Sequence, residues 1–319
     1  MAMLDSSVIK NKSKDVASGL FRYMIFAAIS YVLLYPFLYV LINSVKSFSD
    51  SYDITVTWVP KTLYFGNIAA AFKVFDLSNT VVRTVIYEII SALIQFCSAA
   101  VAAYGLARFK VPFKKLFTVI LILNILVPSM MIIIPTYVNF SRVDFLGVLG
   151  LLFKITGKDL RPNILGSPLV FYLPSLCSVG LKGGLFIYIY MQFFKGLPKE
   201  LEEAAWIDGA GSWRTFLQIV VPSTGAASVI VLLFSVVWHW NDYYLAQMYM
   251  DKPTFAVAIN SYSGNITSSV LGLDIATVRM MDVQILLAGC LLFIIPMLVF
   301  YLLIQKKFIA SIASSGIVG

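Results

Sequence analysis

Apolar residues in this chain gather into long runs bounded by charges. A helix needs roughly 20 apolar residues to cross a hydrocarbon core. Six segments meet that length, at about 20–44, 81–106, 115–139, 168–194, 223–248 and 283–304. The third, LFTVILILNILVPSMMIIIPTYV, carries no charge; Pro128 and Pro135 punctuate it, and a membrane helix tolerates prolines as kinks. The first run is longer than a signal h-region and lacks a small-residue cleavage site, so it reads as a retained span. The pattern predicts an all-α integral membrane protein with six transmembrane helices. Its parts are an N-terminal tail 1–19, a membrane domain 20–305 containing a polar loop at 196–222, and a C-terminal tail 306–319.

Composition agrees. Of 319 residues, 60% are hydrophobic and 13% charged, outside the range of soluble domains. The net charge of +8 is best explained by topology. Basic residues resist translocation, and Arg108, Lys110, Lys114 and Lys115 crowd one short turn without an acid. With Lys10, Lys12 and Lys14 in one tail and Lys306 and Lys307 in the other, six spans put both termini and the 196–222 loop in the cytoplasm. No basic patch is interleaved with exposed aromatics, which argues against nucleic acid as a partner. Cys97, Cys177 and Cys290 form no CxxC pair and no His cluster joins them, so no metal site is expected. The single histidine, His239, reads as a packed or interfacial imidazole.

The loop GLPKELEEAAWIDGAGSWRTFLQIVVP holds three of the four glutamates. Gly196 and Pro198 end the preceding span, and Glu200, Glu202 and Glu203 suit the N-terminus of a short helix, where the dipole favours negative charge. Gly209 and Gly211 stop that helix, and a second restarts at Ser212 and runs to Pro222. Local chemistry leaves two readings open: a docking surface, or an amphipathic loop packed on its own spans.

Spacing separates them. Glu203-Ala204-Ala205, three residues, Gly209, nine residues, Ile219, one residue, Val221-Pro222 matches EAA-x3-G-x9-I-x-L-P except for Val221 in place of Leu. This resembles the EAA loop of the membrane subunits of binding-protein-dependent ABC importers. The wider PKELEEAAWIDGAG is similar to permeases of the carbohydrate-uptake type, such as the maltose and raffinose systems. AAYGLARFKVPFKKLF, IIIPTYV and WNDYYL extend the resemblance over most of residues 20–310.

The resemblance implies a type I ABC importer permease fold in a bacterial-type cytoplasmic membrane. It implies that Glu203, Ala204, Ala205 and Gly209 contact an ATPase, with Asp208 nearby, and that Ile219 and Pro222 set the link to the fifth span. Glu203 is the residue expected to matter most; Glu200 and Glu202 are assigned to the helix start and the solvated face. The implied partners are a second related permease, two ABC ATPases, an extracytoplasmic solute-binding protein, a carbohydrate and membrane lipid. The C-terminal tail keeps Gln305, Phe308 and Gly319 of the family pattern but replaces its small glycines with serine, so tail docking is less secure than loop docking. No G-x-x-x-x-G-K-[ST] occurs, so no cofactor is expected on this chain and ATP-Mg belongs to the partner ATPase.

Polar residues within spans are the candidates for a solute path. Lys182 lies 13 residues before Lys195, about 20 Å at 1.5 Å per residue. It either faces a translocation cavity or snorkels to the outer surface. Asn124 and Gln95 either line the path or bond between helices. Asn241 and Asp242, between Trp240 and Tyr243, stand near the outer end of the fifth span, as interface anchors or as contacts for sugar or binding protein. Glu88 either pairs with Arg83 or faces water. The loop at 143–168 is longer than a minimal connection and offers a binding-protein contact. An ion-driven transporter would want inverted repeats and an acidic relay. An enzyme would want paired acids, HExxH or GxSxG. None of these is present, so the chain is expected to be a transport subunit and not an enzyme. An importer for a solute other than sugar remains the alternative.

Overall fold

The computed structural model describes residues 2–144 and 147–315. Among these residues there is no strand, only an isolated antiparallel bridge between Lys46 and Leu63. The helices are α1 (Ala2–Ser44), α2 (Phe48–Tyr52), α3 (Gly66–Val74), α4 (Leu77–Thr84), α5 (Ile90–Arg108), α6 (Lys114–Leu126), α7 (Ser129–Ser141), α8 (Val148–Thr156), α9 (Leu169–Leu176), α10 (Gly183–Gly196), α11 (Glu200–Ile207), α12 (Ser212–Thr215), α13 (Val221–Ser223), α14 (Gly225–Trp240), α15 (Tyr244–Tyr249), α16 (Phe255–Asn260), α17 (Gly264–Leu271) and α18 (Ile275–Ser315). Widened π-type turns at Val85–Ile89 and Phe216–Val220 join α4 to α5 and α12 to α13.

Among the described residues, three helical stretches, Ser18–Ser44, Leu77–Arg108 and Ile275–Ala310, are long and apolar enough to cross a membrane. Two bent pairs bring the number to five if each counts as one span. Of the six expected spans, five are recovered by length and composition; the 168–194 segment is not among them, and breaks appear that run length did not reveal. Pro128 does not kink the 115–139 segment; it divides it, and α6 and α7 meet at 105°. Proline bars the preceding residue from the helical region, and Val127 and Pro128 are both extended, with ψ of 118° and 135°. Pro135 stays inside α7. The 168–194 segment is likewise two helices, with Ser178 and Lys182 in the left-handed region at φ 59° and 60° between them. The fifth segment starts at Gly225 after an 83° bend and ends at Trp240, with α15 beyond it.

Contacts divide the chain into two units, Met1–Val74 with Ser263–Leu292, and Phe75–Tyr262 with Phe293–Gly319. In the first, the buried Lys46 Nζ donates to the carbonyls of Val56 and Thr57, each at 2.9 Å, and Asn67 Nδ2 donates to those of Ser44 and Lys46 at 3.1 and 2.8 Å. Two polar side chains thus close the loop that follows α1.

The second unit is built on α5. Ala92, Ala99 and Ala103 are wholly buried along its length, and small residues allow close helix approach within a membrane. Against α5 pack the large rings of Phe186, Tyr190 and Phe194, four residues apart on one face of α10. Tyr190 and Phe194 stack at 5.6 Å, and Phe216 from the π-type turn meets Tyr104 at 4.9 Å. The connection at 143–168 is ordered by side chains: Asp144 accepts from the N–H groups of Leu149 and Gly150 at 2.9 and 2.8 Å, and Arg161 grips both oxygens of Asp159. That fork holds the Asp159 carboxyl down at about 2. Phe145 and Leu146 of this connection lie outside the described residues.

Candidate functional site

α10 ends at Gly196, and after Leu197-Pro198-Lys199 the chain turns into α11 with Glu200, Glu202 and Glu203 in its first turn, as the dipole favours. Its end is set by Gly209. The Gly209 N–H bonds to the Trp206 carbonyl at 3.0 Å and the Ala210 N–H to the Ala205 carbonyl at 2.9 Å, the paired bonds of a Schellman stop. Gly209 has φ +79°, and a Cβ there would meet nothing within 4 Å. The need for glycine in the chain alone is therefore conformational rather than steric.

The two faces of α11 differ. Glu200, Glu203, Ala204, Ile207 and Asp208 are exposed at helical spacing, and Ile207 is 86% exposed. Glu202 and Ala205 are buried at 4% and 5%. The Glu-Ala-Ala run is thus split: Glu203 and Ala204 point away from the chain, and Ala205 packs on it. Ile219 is half-buried in the π-type turn, and Pro222 is exposed just before the 83° corner. Gly211, rather than Ser212, caps α12.

Glu202 corrects the expectation of a solvated side chain. Its Oε1 lies 2.6 Å from Arg108 Nε, and its Oε2 accepts from the Tyr104 hydroxyl at 3.1 Å. Arg108 Nη2 also donates to the Leu197 carbonyl at 2.7 Å. Arg108 reads in sequence only as one of four basic residues in a turn. Its partners lie so far along the chain, Leu197 being 89 residues on, that no local pattern announces them.

A cavity of about 650 Å³ lies among α6, α7, α9, α10, α14 and α15. Asn124, Thr136, Asn139, Ser175, Trp238, His239 and Tyr249 line it together with Lys182, and of these only Asn124 and Lys182 are marked as path candidates by the sequence. Lys182 Nζ stands over the Trp238 ring, 5.9 Å from its centroid, and among the described residues no carboxylate lines the wall. Lys182 is exposed and lines the cavity. Gly183 and Gly184 open α10 and are buried. A Cβ on Gly183 would collide with the Ser178 carbonyl and the Gln95 amide, while the Gly184 N–H donates to Asn124 Oδ1 at 3.2 Å. His239 is buried in the wall, its Nδ1 2.8 Å from the Ser235 carbonyl.

The remaining candidates stand elsewhere. Gln95 is wholly buried, donating to the Leu181 carbonyl at 3.0 Å and accepting from Ser175 Oγ at 3.2 Å, so it braces the break between α9 and α10. Asn241 bonds back to Val237 at 2.7 Å, and Asp242 Oδ1 accepts from the Leu245 N–H at 3.1 Å, at the start of α15. Arg83 pairs with Asp76 at 3.2 Å and donates to Pro253 at 3.0 Å. Glu88, left without it, is fully buried with neither oxygen hydrogen-bonded. Gln305 and Phe308 lie within α18, and Gly319 falls outside the described residues.

The sequence pattern of the family described as "Binding-protein-dependent transport system inner membrane component" matches residues 95–313. The chain is 26% identical over 282 residues to the probable starch degradation products transport system permease protein AmyC of Thermoanaerobacterium thermosulfurigenes, covering 88% of this chain and 90% of that one. It is 27% identical over 294 residues to the trehalose transport system permease protein SugB of Mycobacterium tuberculosis, covering 91% and 94%. Among solved structures, a chain from a bacterial ABC transporter involved in the import of the acidic polysaccharide alginate superposes with a TM-score of 0.70 at 17% identity, covering 92% of this chain and 98% of that one.

Proposed function

Because the chain belongs to the family of binding-protein-dependent transport system inner membrane components, we propose that it is the permease subunit of an ATP-driven carbohydrate importer, coupled to a separate ATPase through α11. A member of this family is a multi-pass transport subunit rather than an enzyme, and it works with other importer components and a substrate-binding protein. In our reading those components are a second related permease, two ATPases that carry the ATP-Mg, and an extracytoplasmic binding protein. Both termini and α11 face the cytoplasm, where the short basic loops collect.

The observation that carries the coupling role is the exposed face of α11. Glu203, Ala204, Ile207, Asp208 and Gly209 present a small, acidic and apolar patch, rigidly terminated and turned away from the chain's own core. A surface isoleucine beside exposed Trp206 is an apolar patch of the kind that marks a protein contact. Nucleotide-driven closure of the ATPases would displace α11, and the cavity beyond would alternate between two openings. Such coupling requires α11 to be held differently in the two states.

Carbohydrate as the solute rests on the relatives' sugars and on the cavity. A volume of about 650 Å³ suits a small ligand. Trp238 and Tyr249 contribute aromatic surface to the lining, and Asn124, Asn139 and Thr136 contribute polar groups that would bond to hydroxyls. The test of the coupling role is replacement of Glu203 and Gly209 by Arg and Trp. Membrane insertion should persist, while co-purification with the ATPase and ATP-driven uptake of a panel of labelled sugars should be lost; normal uptake would sink the assignment.

A further inference from the structure

The connection between α10 and α11 is a short elbow, Leu197-Pro198-Lys199, and one arginine holds both of its sides. Arg108 Nη2 donates to the Leu197 carbonyl in the elbow, and Arg108 Nε stands 2.6 Å from Glu202 Oε1 in the first turn of α11, an ion pair without hydrogen-bond alignment. The second carboxylate oxygen accepts from Tyr104, one helical turn earlier on α5. Both charged side chains are at least nine-tenths buried. Relative to apolar packing, a buried ion pair contributes little net stability, and its best-attested use is to select one geometry over others.

The far end of α5 is fixed as well. Gln95 lies nine residues before Tyr104, about 14 Å at 1.5 Å per residue. Its amide holds the Leu181 carbonyl and the Ser175 hydroxyl, on either side of the break that separates α9 from α10. Leu181 precedes Lys182, which lines the cavity. Between these ends the alanine face of α5 packs along α10.

We propose that Arg108, Glu202 and Tyr104 form a clamp that locks the elbow, so that α5, α10 and α11 move as one body. Displacement of α11 then reaches the 177–182 break at the cavity instead of being absorbed by swivelling at Leu197-Pro198-Lys199. Glu202 and Arg108 are positioning residues on this account, acting through the helices they join. The inference rests on the reading of α11 as the surface that docks on the ATPase.

The test uses the importer assembled with its own partner subunits, in a background with Cys97, Cys177 and Cys290 replaced by serine. The probe is a Val179→Cys reporter in the break, labelled by a polar thiol reagent with and without ATP and vanadate. With the clamp intact, nucleotide should change the labelling rate. Glu202→Gln and Arg108→Gln should still assemble with the ATPase and hydrolyse ATP, but the nucleotide-dependent change should shrink by about tenfold, within the usual range of coupling between sites. Arg108→Lys, which keeps a cation beside Glu202, should restore most of it.

A full nucleotide response in the neutral variants, or a Lys variant as deficient as the Gln variant, overturns the clamp. If the neutral variants fail to assemble, Glu202→Asp decides: a reduced response in assembled complex supports the clamp, and an undiminished one overturns it. Failure of the docking reading looks different. Variants at Glu203 and Gly209 would then assemble and transport normally, whatever the Glu202 variants do.

Discussion

Lys182 and Trp238 face each other across the cavity wall, the ammonium 5.9 Å from the indole centroid. The lysine sits in the left-handed region at φ 60° and starts α10, so its charge adds to the positive end of that helix. On the proposed sugar path, this cation beside an aromatic face would meet the solute's oxygens.

From this relationship we expect Lys182→Cys, in a background lacking native cysteines, to be labelled by a polar thiol reagent and protected by the transported sugar. Lys182→Gln and Lys182→Gly should both impair uptake, because both remove the cation. The Gly variant should be the more heat-resistant, since relief of a left-handed residue is worth about 1–2 kcal/mol. Labelling that no sugar changes in any state would remove Lys182 from the path.

Gly209 should answer to backbone conformation before size. Gly209→Asn, which tolerates the left-handed region, should retain the α11 stop and ATPase association. Gly209→Ala should weaken the stop by about 1 kcal/mol although its Cβ meets nothing in the chain. Co-purification yields measure both. Equal behaviour of Ala and Asn would show that close approach of the partner, not the turn, demands glycine.

Gly183 and Gly225 make a contrasting pair. A Cβ on Gly183 runs into the Ser178 carbonyl and the Gln95 amide, whereas one on Gly225 meets nothing within 4 Å. Gly183→Ala is expected to lower thermal stability in detergent by about 1–3 kcal/mol. Gly225→Ala should be neutral or raise it by up to about 1 kcal/mol.

Glu88 is fully buried on the π-type turn with both oxygens unbonded. A buried polar group without a partner is a stability liability, so Glu88→Met should raise the detergent melting temperature, by the equivalent of about 1–3 kcal/mol. A fall would mean that the carboxyl has a partner in the assembled importer.

Much of this was legible in the linear chain. Run lengths located the apolar segments because crossing a bilayer is a requirement on length, and EAA-x3-G located α11 because helix dipole and left-handed stop are local demands. Gly209 could be read as a stop from its position alone. Glu202 could not be read, because three adjacent glutamates look equivalent until the fold turns one of them onto Arg108. Gln95 and Asn124 looked alike as intramembrane amides, yet one braces a break and the other stands at the cavity. Pro128 and Pro135 looked alike as kinks, yet only the first divides its helix.

By itself the sequence determined the membrane character, the apolar segments and the acidic start and glycine stop of α11, all of which depend on residues within a turn or a run of one another. Tertiary structure alone decided where the third and fourth segments break, which glutamate is buried, and which polar residues share the cavity with Lys182. Those outcomes depend on partners tens of residues apart, such as Tyr104 with Glu202 and Gln95 with Leu181. In a membrane interior a polar group must find whichever partner the packing brings to it, and packing is a property of the folded chain.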